Sequence, residues 1–157
     1  MSGDPSANQA GDIRTIASAA ATHSPVQWYA ALARRSDFRP DEAQQRAVER
    51  LQRLHDELLA FKRFRDRPFV KTLDLGTPPH GLYLHGGVGR GKSMLMDAFF
   101  AHLPYRRKRR EHFHAFMRGV HQAITRLKNT ADPLVTIAVD LGKRLRVLCL
   151  DELHVND

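Results

Sequence analysis

Hydrophobic positions in this chain switch between a three-to-four-residue spacing and short continuous runs, and the switches outline its elements. Residues 1–24 are rich in Ser, Ala, Gly and Asn without a sustained period, which predicts a disordered tail. From Pro25 the composition changes, with Trp28, Tyr29, Leu32 and Phe38 supplying the first core material. Ala43, Ala47, Val48, Leu51, Leu54 and Leu58 then form one apolar stripe, opposite Arg46, Glu49, Arg50 and Arg53. This spacing predicts a long amphipathic helix with Pro40, Asp41 and Glu42 in its first turn and its end near Phe61. Residues 62–80 hold Pro68, Gly76, Pro78 and Pro79 and read as a connection, with at most a short extended piece around Val70.

Shorter elements follow. Gly81, Leu82, Tyr83, Leu84 and His85 read as a short strand running directly into glycines, and residues 94–103 as a helix stopped by Pro104. Residues 112–116 read as a second short strand, followed by the helical stripe of Met117, Val120, Ile124 and Leu127. Asp132 and Pro133 form a cap and a first-turn proline, opening a short helix that stops at Gly142. Residues 145–150 are mostly apolar and β-rich, the pattern of a buried strand. Strands alternating with helices imply an α/β fold, a parallel sheet covered by helices.

A length of 157 residues allows one domain with a real core, and 42% hydrophobic with 27% charged residues is the balance of a globular protein. No apolar run approaches the ~20 residues needed to cross a bilayer. The amino terminus has neither the positive start nor the apolar stretch of a secretory signal, and the single cysteine, Cys149, suits a reducing compartment. A cytoplasmic location is expected. The net charge of +8 favours acidic partners. Much of it is scattered Arg on helices, the pattern of solvated faces, so nucleic acid is not the favoured partner.

The chemistry begins at Gly86, Gly87, Val88, Gly89, Arg90, Gly91, Lys92 and Ser93, a match to G-x-x-x-x-G-K-[ST] that leads into Met94 and the next helix. Glycines let successive N–H groups turn inward at phosphate oxygens, and Gly91 admits the chain to the helix without a side chain striking them. The helix N-terminus adds partial positive charge. Lys92 is suited to the β- and γ-phosphates of ATP, and the Ser93 hydroxyl to Mg²⁺. A chance match in such a chain is expected about half a percent of the time, and this one has a strand before it and a helix after it.

A second constellation is Val147, Leu148, Cys149 and Leu150 followed by Asp151 and Glu152. A buried strand ending in carboxylates places them at the carboxyl edge of the sheet, where open α/β sheets bind ligands. Asp151 would hold Mg²⁺ through water, and Glu152 would orient and polarise an attacking water. Other candidates rank lower. His112 and His114, two apart on a strand, would share a face and could chelate a metal, although ordinary packing is the better reading. Arg106, Arg107, Lys108, Arg109 and Arg110 form the densest basic run, read first as a solvated connection and second as a contact for nucleic acid or an acidic partner.

The segments LYLHGGVGRGKSMLMDAFF, KRREHFHAFM and DPL…RVLCLDELHVND together resemble the AAA+-type ATPase family of the bacterial cell-division protein ZapE and its mitochondrial relatives. The resemblance runs from about Tyr29 to Asp157, with Leu150 and Leu153 where members usually have phenylalanine. It implies a partial P-loop NTPase (AAA+-like) parallel sheet with flanking helices, preceded by an amino-terminal helical segment. The expected organisation is a tail over 1–24, a helical segment and linker over 25–75, and an incomplete ATPase core with strands 1 to 3 over 76–157. It also implies ATP hydrolysis linked to cell division, with Lys92, Ser93, Asp151 and Glu152 in the roles given above. The tubulin-like protein FtsZ is the implied partner, and a homo-oligomer is implied for a full-length member.

Members of the family are longer, and the expected carboxyl half carries a sensor, an arginine for the neighbouring subunit's ATP, and a lid. In related ATPases the sheet order is 5-1-4-3-2, which would leave strand 1 here without either neighbour. The 157-residue chain is therefore expected to be marginal in stability and weak or inactive in hydrolysis. Two further readings stand beside this one: a helicase-loader-like, nucleic-acid-associated ATPase, and a nucleotide-binding remnant without catalysis.

Overall fold

The computed structural model describes residues 24–73, 76–87, 89, 91–128 and 130–153. The tail expected over 1–24 lies outside these except for Ser24. The chain forms two compact units, Met1–Pro104 and Tyr105–Asp157.

In the first unit, α1 (Pro25–Ala33) starts at Ser24, whose hydroxyl accepts from the Gln27 N–H, with Pro25 in the first turn where no N–H is needed. α2 (Glu42–Arg65) carries the long stripe. Its cap is Asp41, whose carboxylate accepts from the Ala43 N–H at 3.1 Å, so Pro40 lies outside the helix rather than in its first turn. The helix runs past Phe61 to Arg65, and a short α3 (Pro68–Leu73) occupies part of the expected connection. α4 (Lys92–His102) follows the glycine loop and ends before Pro104, as the sequence suggests.

Trp28, Tyr29 and Leu32 of α1, Val48, Leu51 and Leu58 of α2, Val70, and Leu95, Ala98 and Phe99 of α4 are buried, with Leu103. Each such large side chain withdrawn from water contributes about 1.5–3 kcal/mol before entropy is counted. His55 is also buried, its Nε2 3.2 Å from the His102 carbonyl at the end of α4. The loop-bearing helix is thus seated on the two amino-terminal helices.

The second unit is a β-α-α-β arrangement: β1 (Lys108–His112), α5 (Phe113–Arg126), α6 (Pro133–Arg144) and β2 (Val147–Asp151). The strands pair in parallel, with Arg110 opposite Cys149 and His112 opposite Asp151. The Asp132 cap holds, its carboxylate accepting from the Val135 N–H, but α6 continues through Gly142 to Arg144. This is a mixed α/β fold with a parallel sheet and flanking helices, a partial P-loop architecture.

Two strand expectations need correction. The expected strand at 112–116 is displaced: the ladder uses Lys108–His112, and Phe113 begins a helix. Phe113, Phe116, Met117, Val120 and Ile124 then fall on one helical stripe, while pairing with β2 draws three residues of the basic run into the sheet. Residues 81–85 form no strand, since no described residue pairs with them. A strand is defined by a neighbour that accepts its backbone bonds, and apolar alternation alone does not supply one.

Candidate nucleotide-binding site

The loop after residue 85 owes its shape to glycine. Gly86, Gly89 and Gly91 have φ of 146°, 79° and 76°, values that side-chain-bearing residues rarely adopt. Val88 and Arg90 lie outside the described residues. The Lys92 ammonium folds back over the loop and donates to the carbonyls of Gly86 at 2.8 Å and Gly87 at 2.7 Å. Lys92, the three described loop glycines before Gly91, and the first turn of α4 therefore stand together. α4 begins at Gly91 with no side-chain cap and no acidic residue in its first turn. Its leading N–H groups and the lysine make a strongly anion-favouring end of the helix.

Gly91 has a second reason to lack a side chain. A Cβ there would lie 3.1 Å from the Gln44 Nε2 and 3.3 Å from the Met94 Cε. The neighbours on that side are the Gln44 amide of α2 and the Met94 side chain of α4 itself. Ser93 is exposed at the start of α4, and Met94 is half-buried beside it.

In the second unit, β2 delivers Asp151 and Glu152 at its carboxyl end, as its apolar run suggests. One Asp151 oxygen accepts from the Glu152 N–H at 2.9 Å. The other takes an ion pair from Arg110 Nη2 at 3.0 Å, both side chains being largely covered. Glu152 is exposed and holds a left-handed φ of 56°, alone among described non-glycine residues. Strain of this kind is tolerated where the surroundings enforce it, often at functional positions. His112, at the end of β1, brings its Nδ1 within 3.6 Å of the Glu152 carboxylate.

His112 and His114 do not share a strand face. His112 caps α5 and His114 lies in its first turn, so the chelating geometry is absent. Among the described residues no three His, Cys, Asp or Glu side chains gather around a common point. Mg²⁺ on a nucleotide asks for no such cage, because phosphate oxygens and water fill most of its shell. The Ser93 hydroxyl at the start of α4 and, in the second unit, the Asp151 carboxylate at the end of β2 are each hard oxygen donors of the kind it accepts, so each residue by itself fits the group.

Arg110 and Gln44 were not singled out as site residues, and His112 only as a metal-chelating candidate ranked below ordinary packing. Arg110 sat inside a basic run, and its tie to Asp151 follows only from the parallel register. Burial holds the Lys108 ammonium below the ordinary lysine range in the same strand.

Residues 23–157 match the model of the AFG1-like ATPase family. The cell division protein ZapE of Escherichia coli K12 is 38% identical over 145 residues, covering 85% of this chain and 39% of that protein. The lactation elevated protein 1 homolog B of Danio rerio is 38% identical over 91 residues, covering 51% of this chain and 18% of that protein. The chain thus spans well under half the length of these relatives. No solved structure matches it at a significant level.

Proposed function

The chain belongs to the AFG1-like ATPase family, and from that premise we propose that it binds ATP with Mg²⁺ at the 86–93 loop, with hydrolysis proposed for a chain of its relatives' full length. The observation that carries the reading is the glycine loop wrapped around the Lys92 ammonium at the uncapped start of α4.

Loop and helix N–H groups bind the phosphates, and Lys92 exchanges the Gly86 and Gly87 carbonyls for β- and γ-phosphate oxygens. Ser93 and Asp151 are the residues assigned to Mg²⁺, Asp151 through water. The ion, when bound, offsets charge on the phosphate oxygens. Glu152 accepts a hydrogen bond from the attacking water, orients it, and takes up proton density as it attacks. Arg110 keeps the Asp151 carboxylate aimed off the strand end.

The similarity to a cell division protein supports a role linked to division; a cytoplasmic location and FtsZ as the partner to test first are proposed from the family resemblance alone. Oligomerisation and turnover are proposed only for a chain of its relatives' full length, and nucleotide binding is the step proposed for these 157 residues.

The test is equilibrium binding of a fluorescent ATP analogue with and without Mg²⁺. Binding should require Mg²⁺ for full affinity and fall by at least about a hundredfold in Lys92→Ala, the loss of one strong charge-assisted contact set. Equal affinity in both proteins overturns the reading.

A further inference from the structure

The amino-terminal helices look like a support for α4, yet one side chain of α2 reaches the phosphate loop itself. Gln44 lies in the first turns of α2, half-buried, with its Nε2 3.1 Å from where a Cβ of Gly91 would stand. Its amide oxygen accepts from the Tyr29 hydroxyl of α1 at 3.2 Å. That bond fixes which end of the carboxamide faces the loop, since an oxygen taken by the hydroxyl leaves the NH₂ toward Gly91. Tyr29 is itself fixed: it is 6% exposed, and its ring meets Phe38 edge-on at 5.8 Å. A chain of contacts therefore runs from the core of α1, through Gln44, to the left-handed turn that sets the start of α4.

We propose that Gln44, oriented by Tyr29, is a positioning residue of the nucleotide site, backing Gly91 so that the Lys92 and Ser93 N–H groups keep the direction phosphate requires. The inference rests on the nucleotide-binding reading above and adds to it. The helices before the loop are then part of the site, and glycine at 91 suits both its φ of 76° and the close approach of the amide behind it. No local pattern signals this, because Gln44 and Gly91 belong to different elements and neither spacing nor motif links them.

The experiment measures binding of a fluorescent ADP and of its triphosphate, with Mg²⁺, to wild type, Gln44→Ala, Tyr29→Phe, Gln44→Glu and Lys92→Ala, with thermal unfolding of each. Gln44→Ala should weaken binding about fivefold or more, the usual scale of one lost polar contact. Tyr29→Phe keeps the buried ring and loses only the hydroxyl, so it should shift affinity the same way with little change in Tm. Gln44→Glu keeps the shape and adds a negative charge beside the loop, so it should weaken the triphosphate more than the diphosphate and more at low salt. That difference reports how near position 44 lies to the phosphates, and the positioning role is read from Gln44→Ala and Tyr29→Phe. Wild-type affinity in Gln44→Ala and Tyr29→Phe, with binding lost in Lys92→Ala, would overturn the role of Gln44 alone. Unchanged binding in Lys92→Ala would remove the nucleotide site and this inference with it.

Discussion

Glu152 carries a carboxylate where the backbone would prefer glycine. Its φ of 56° costs an L-residue about 1–2 kcal/mol, and the neighbouring Asp151 carboxylate accepts its N–H in that conformation. Glu152→Gly should therefore leave unfolding free energy unchanged or raise it by up to ~1 kcal/mol, while removing the ATP hydrolysis proposed above. Urea titration reads the first effect and phosphate release the second. A clear loss of stability in the glycine variant would show that the Glu152 side chain, not function, keeps this conformation. The positions of Lys92 and Ser93 at the start of α4 and of Asp151 and Glu152 at the carboxyl end of β2 were legible because each sits in a local pattern set within a few residues. Arg110 and Gln44 were not legible, since each acts on a residue of another element.

Among the elements, β1 is the one least expected from composition. Four of its five residues are Lys, Arg or Glu, and it forms because β2 offers a parallel partner in register. Lys108 bears the consequence, being half-covered in the folded strand with its pKa lowered by burial. The unfolded chain binds that proton up to about pH 10.4, the folded one only to a lower value, so stability from this group rises with pH between the two. Below that window the charged ammonium is a net cost to folding. Lys108→Met should raise Tm at pH 7, and its advantage over wild type should shrink as pH approaches 10. A lowered Tm at pH 7 would show that the ammonium makes compensating bonds stronger than its desolvation.

Seen whole, burial is unequally shared between the two compact units. Most of the buried apolar residues belong to the first, while Cys149 is the only described residue after Pro104 in that class. On α6 the apolar Leu134, Val135 and Val139 are 59%, 56% and 52% exposed. A two-stranded sheet is marginal by itself, and uncovered apolar faces favour association. The 157-residue chain should therefore self-associate at micromolar concentration, and Val139→Lys should reduce that without lowering Tm. Light scattering with thermal unfolding checks both. Equal scattering by the two proteins would place the association elsewhere.

The helix caps at Ser24 and Asp41 came from the structure, while the sequence by itself determined the long stripe of α2, the helix cap at Asp132, the glycine loop and the carboxylates at the end of β2. All of these depend on interactions spanning only a few residues along the chain, and periodicity and capping chemistry report such interactions directly. Only the tertiary structure decided that the basic run enters a strand, that residues 81–85 form none, and that Arg110 meets Asp151 while Gln44 meets Gly91. Strand pairing and contacts between elements join residues distant in sequence, and their free energy depends on a partner that no local pattern names.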